Sequence, residues 1–93
     1  MPEKLLEEIK LSMRLANNAL DDDIKRNINA CLLDLERVGV DKSKETELLY
    51  KACELYVKWQ YDYQLKGERY QKNYELLRDS MSLAEKYKEQ SNV

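Results

Sequence analysis

Cys31 and Cys53 are the most nucleophilic side chains in this sequence, and 22 residues separate them. Histidine is absent from all 93 residues. Neither thiol therefore has the usual base to activate it, and no imidazole is available to complete a tetrahedral zinc site. The spacing is not that of a metal knuckle or a redox motif, so a pair of buried, reduced thiols is expected rather than a disulfide. Asp21-Asp22-Asp23 is the densest acidic run. A calcium loop needs alternating ligands and a turn glycine, and this run has neither. Three acids instead suit the positive end of a helix. No carboxylate pair lies beside a nucleophile or a glycine-rich pocket, and nothing reads as a phosphate loop. The sequence predicts no enzyme, no metal and no cofactor.

The tyrosines carry more information. Tyr50, Tyr56, Trp59, Tyr61, Tyr63, Tyr70 and Tyr74 fall within 25 residues, and Tyr87 alone lies outside. Tyr56, Trp59, Tyr63, Tyr70 and Tyr74 match helical stripe positions and read as core. Tyr50 and Tyr61 fall off the stripe, where a tyrosine offers buried area together with a polar tip to a partner protein. Stacking on single-stranded bases would want basic neighbours, and the interleaved charge is neutral.

These residues must be held by helices. Two glycines, one proline and 37% charged residues suit long amphipathic helices and disfavour a turn-rich sheet. Leu5, Leu6, Ile9 and Met13 give a short first helix over about 3–14, with Pro2 at its start and Asn17-Asn18 in the break after it. Leu20, Ile24, Ile28, Cys31, Leu32, Leu35 and Val38 repeat at threes and fours, predicting a second helix over 21–38. Gly39 should close it in the left-handed conformation with Val40 packing back.

Ser43 is the expected cap of a third helix over 44–63, whose face of Leu48, Leu49, Ala52, Leu55, Tyr56, Trp59 and Tyr63 is wide enough for more than one neighbour. After the Gln64–Gly67 breaker, Tyr70, Tyr74, Leu77, Met81 and Ala84 predict a fourth helix over 68–87. Leu76, Leu83 and Tyr87 form a second line on it, and 88–93 should fray. Glu47–Lys51, Glu54–Lys58, Glu68–Lys72 and Glu75–Arg78 read as surface pairs. The fold expected is a single all-α domain, a small bundle of about four helices with two longer antiparallel ones in the C-terminal half.

Sixteen basic and eighteen acidic residues leave a net charge of -2, and the deficit lies in residues 21–45. No basic stripe emerges, so strong non-specific binding to DNA or anionic membrane is not expected. The charged N-terminus lacks an apolar signal core and no stretch is long enough to span a bilayer, so a cytoplasmic, non-membrane protein is expected.

The run Leu48-Leu49-Tyr50-Lys51-Ala52-Cys53-Glu54-Leu55-Tyr56-Val57-Lys58-Trp59-Gln60-Tyr61 and the run from Gly67-Glu68-Arg69-Tyr70 to Tyr74-Glu75-Leu76-Leu77 resemble the head-tail connector family of long-tailed bacteriophages. Leu5, Leu6, Ile9 and Lys10 in the first helix, the acidic start of the second, and Met81-Ser82-Leu83 extend the likeness over nearly the whole chain. The resemblance implies an all-α adaptor, active or prophage-borne. It would assemble as a homo-oligomeric ring beneath the portal protein, extend the DNA channel, and dock further head-tail joining proteins in the virion neck, with DNA only as passing cargo.

It also implies portal contact by the stretch after Leu77. Met81 to Gln90 looks helix-competent here, where relatives often become extended. Tyr50, Tyr61, Met81, Leu83 and Tyr87 are the candidate interface residues. The alternative reading is a small helical regulator binding nucleic acid or another protein, which would need a basic face.

Overall fold

The structure, a computed structural model, describes residues 2–41 and 47–84. Among them are four helices, α1 (Pro2–Ser12), α2 (Asp21–Arg37), α3 (Glu47–Gln60) and α4 (Gly67–Leu83), and a short 3-10 turn at Tyr63–Leu65. The chain is an all-α bundle, as the periodicity predicts. Ser43, Tyr87 and the tail 88–93 lie outside the described residues.

α1 turns Leu5, Leu6, Ile9 and Met13 into the core. It stops short of the expected residue 14 because Arg14 swings to φ 58°. The Arg14 amide donates to the Leu11 carbonyl at 3.1 Å and the Leu15 amide to the Lys10 carbonyl at 2.9 Å. That is the Schellman closure with arginine where glycine is usual. Asn17 and Asn18 then make the turn. The Asn17 side chain accepts from the Ala19 amide, and the Asn18 side chain accepts from Lys10 Nζ at 2.8 Å. Lys10 is buried and also pairs with Asp21 at 2.9 Å, bolting α1 to the start of α2.

α2 buries Ile24, Ile28, Cys31 and Leu35. Its end follows the sequence reading: Gly39 sits at φ 87°, the Val40 amide returns to Leu35 at 2.9 Å, and both Val40 and Leu35 are fully buried.

α3 is the central helix and packs against α1, α2 and α4. The wide face is real, but it is rotated from the expected one. Cys53 and Val57 are buried with Leu49, Ala52 and Leu55, while Leu48 turns toward solvent. Three neighbours cover the helix from different sides, so a single stripe could not mark the inner one. α3 ends at Gln60, three residues early, because Asp62, Gln64 and Leu65 all adopt left-handed conformations.

The Asp62 carboxylate accepts from the Gly67 amide at 2.7 Å and so caps α4. A Cβ on Gly67 would meet that carboxylate oxygen at 2.6 Å, which is why glycine starts the helix. α4 runs antiparallel to α3: Lys58 lies over Tyr70, whereas the earlier Tyr56 meets the later Tyr74. It buries Tyr74 and Met81 and ends at Leu83, with Ala84 already extended (ψ 122°), four residues before the expected end.

Candidate docking surface

Asp34, on the outer half of α2, gathers side chains from two helices. The Tyr74 hydroxyl donates to its Oδ2 at 2.6 Å and Arg78 Nη1 to the same oxygen at 3.2 Å. Arg37 donates to Oδ1 from Nε at 3.2 Å and from Nη2 at 2.7 Å. Burial works to raise the Asp34 carboxyl, but the bonds from Tyr74, Arg37 and Arg78 outweigh it and hold the group below the ordinary carboxylate range.

Tyr74 is itself pushed far up, first by burial and then by its neighbours Cys31 and Asp34, so its hydroxyl stays a donor. The Cys31 thiol donates to that hydroxyl at 3.9 Å, and burial and the adjacent Cys53 raise its own pKa. Cys31, Tyr74 and Asp34 therefore form a polarised relay from the core to the surface. Both cysteines are free and buried, as expected.

The relay fixes an aromatic wall. Tyr74 packs edge-on to Tyr56 at 5.2 Å, Tyr56 edge-on to Trp59 at 5.4 Å, and Arg78 covers Tyr74 at 5.8 Å. Ala30, Leu33, Arg37, Tyr56, Trp59 and Arg78 then line an open groove of about 380 Å³ with Asp34 at its floor. Leu33 is 60% exposed at its lip. The groove offers apolar area edged by two arginines, both paired with Asp34, and so suits a protein surface.

The four interface candidates among the described residues do not converge on this groove. Tyr50 is half-buried on another face, under Lys4 Nζ at 5.7 Å. Tyr61 is half-buried and donates to Asp23, locking the end of α3 to the start of α2; burial and then that bond push its hydroxyl up to about 12. Met81 is in the core, where it anchors α4 rather than presenting its side chain. Leu83 is 78% exposed and shares an open face of α4 with Leu76, seven residues earlier. Tyr87 lies outside the described residues.

Sequence reasoning missed Leu33, Arg37 and Arg78. Leu33 was the available signal, since it is a large apolar residue off the α2 stripe. Arg78, expected to serve Glu75 on its own helix, reaches Asp34 and Asp79 instead.

No described helix is long and apolar enough to cross a membrane. A family model described as phage connector protein matches residues 5–88. No curated protein matches the chain, and no solved structure does.

Proposed function

Since this chain belongs to the phage connector family, we propose that it is a structural head-tail connector that assembles as a ring beneath the portal protein. It extends the DNA channel and docks further neck or tail proteins after packaging. The observation that carries this reading is the family match over residues 5–88, which takes in all four helices from Leu5 onward. The surface chemistry supports it. Large apolar side chains stand exposed at Leu33, Leu76 and Leu83 on a domain whose core is already filled. Such residues suit burial against neighbours. A net charge of -2 suits a channel wall past which DNA slides without being held by strong phosphate contacts. The protein works in the host cytoplasm during assembly and in the virion neck thereafter.

The experiment is co-assembly with the portal of the same phage, read by sedimentation and negative-stain microscopy. A ring of added density on one face of the portal is the expected result. Portal particles that stay bare at every salt concentration would overturn the reading.

A further inference from the structure

The connection between α3 and α4 runs against its own sequence. Asp62, Gln64 and Leu65 stand at φ 47°, 54° and 59°. Each non-glycine residue held left-handed disfavours the corner roughly fivefold or more in equilibrium. Residues 61–66 include neither glycine nor proline, and Gln64, Leu65 and Lys66 are good helix formers. Leu65 is 88% exposed, so no burial offsets its strain. The aromatic stripe, meanwhile, ignores the corner. Tyr56, Trp59, Tyr63, Gly67, Tyr70 and Tyr74 follow one another at intervals of three, four, four, three and four. That spacing keeps all six on one side of a single unbroken helix, although a hairpin imposes no phase relation between its arms. All six are buried or half-buried, whereas Asp62, Gln64, Leu65 and Lys66 are exposed.

We propose that this corner is a hinge at which two copies of the chain exchange α4. The hinge straightens, α3 and α4 become one helix from Glu47 to Leu83 about 55 Å long, and each α4 packs on the α3 of the other copy. The pairs Tyr56–Tyr74 and Lys58–Tyr70 centre the antiparallel register of the hairpin on residues 64–65, within the strained corner. A two-fold axis through that centre lays one straight helix antiparallel on the other and makes the same pairs between chains. The contacts of α4 are thus alike in both forms, and relief of the hinge competes directly with the cost of association. Exchange gives up the Asp62 cap of α4 together with the three left-handed residues. Asp34 then receives Tyr74 and Arg78 from the other chain, so the groove becomes a two-chain site. Exchange does not depend on the connector reading.

The test uses the full chain alone, from micromolar to millimolar concentration, with light scattering for mass and paired spin labels for shape. Leu48→Cys and Leu83→Cys replace exposed residues that the register sets opposite each other across the hairpin. A straight helix holds them about 52 Å apart. A large excess of unlabelled chain restricts the reading to distances within one chain, and brief labelling leaves buried Cys31 and Cys53 unreacted. The monomer should show the short separation and the dimer the long one. Gly67→Ala sets a Cβ 2.6 Å from Asp62 Oδ1 and 3.3 Å from its Cα in the closed corner, and it favours the straight helix. It should raise the dimer association constant about tenfold or more. Leu65→Gly relaxes the closed corner and weakens the straight helix, so it should lower that constant about as much. Far-UV circular dichroism checks folding, and Asp62→Ala, which deletes the cap, replaces Gly67→Ala if the latter does not fold. A dimer whose labels keep the short separation would overturn the proposal. So would a chain that stays monomeric at millimolar concentration with the hinge substitution, or hinge variants that leave dimerisation unmoved. Co-assembly with the portal is read separately, and a bare portal would remove the connector reading without touching exchange.

Discussion

Tyr74 joins the core to the surface. Its ring is fully buried and its hydroxyl reaches the Asp34 carboxylate. Tyr74→Phe keeps the ring and deletes a hydrogen bond to a charged acceptor, so unfolding in urea at pH 7 should lose about 1.5–3 kcal/mol. The loss should depend on pH in a definite sense. The folded pKa of Asp34 is depressed, so its contribution is present above the unfolded value of about 3.9 and disappears as pH falls through the folded one. The gap between native and Tyr74→Phe midpoints should therefore narrow toward pH 2–3, below the carboxylate range. Tyr61 works in the opposite direction. Its hydroxyl is raised to about 12, so its contribution holds below the ordinary tyrosine value near 10 and is lost as pH climbs through the raised one. Tyr61→Phe should flatten the alkaline limb of the stability profile.

At the scale of elements, the two helix ends closed by left-handed residues make a matched pair. Gly39 at φ 87° has open space where a Cβ would go, so Gly39→Ala adds backbone strain without a clash and should cost about 1–2 kcal/mol. Arg14 already carries that strain at φ 58°, and Arg14→Gly should stabilise by up to about 1 kcal/mol once the greater freedom of the unfolded glycine is deducted. Thermal unfolding followed at 222 nm reads both. Asp62→Ala removes the acceptor for the Gly67 amide and should cost about 1 kcal/mol, as cap deletions do.

These ends also mark how far the sequence could be read. Gly39 and Val40 announce a closure because glycine alone adopts that conformation cheaply. Arginine at 14 announces nothing, so the apolar pattern carries α1 two residues past its end at Ser12. Asp62 was invisible as a cap because it caps from a left-handed position five residues before the amide it serves. The apolar stripes of α1 and α2 were legible because each helix is covered on one side. The Asp34 cluster was not, since Tyr74 and Arg78 lie 40 and 44 residues away and only packing brings them together.

For the whole molecule, the placement of α3 decides how the protein comes apart. Every other helix packs on it, so no helix pair can leave without exposing the shared core, and unfolding should be a single cooperative transition. Cys31 and Cys53 provide a direct check, since both are fully buried and unpaired. A thiol reagent should modify them slowly in native buffer and together, at the urea midpoint measured by circular dichroism. Modification of one cysteine well before the other would show that α2 and α3 separate independently. The groove has a further consequence. Trp59 is the chain's sole tryptophan, and it stands in the wall that faces the open volume, with Tyr56 edge-on to it and Tyr74 tilted against it. The protein thus carries a built-in optical reporter at the groove: its emission should move to shorter wavelength as a neighbour displaces water from the indole, without any attached dye.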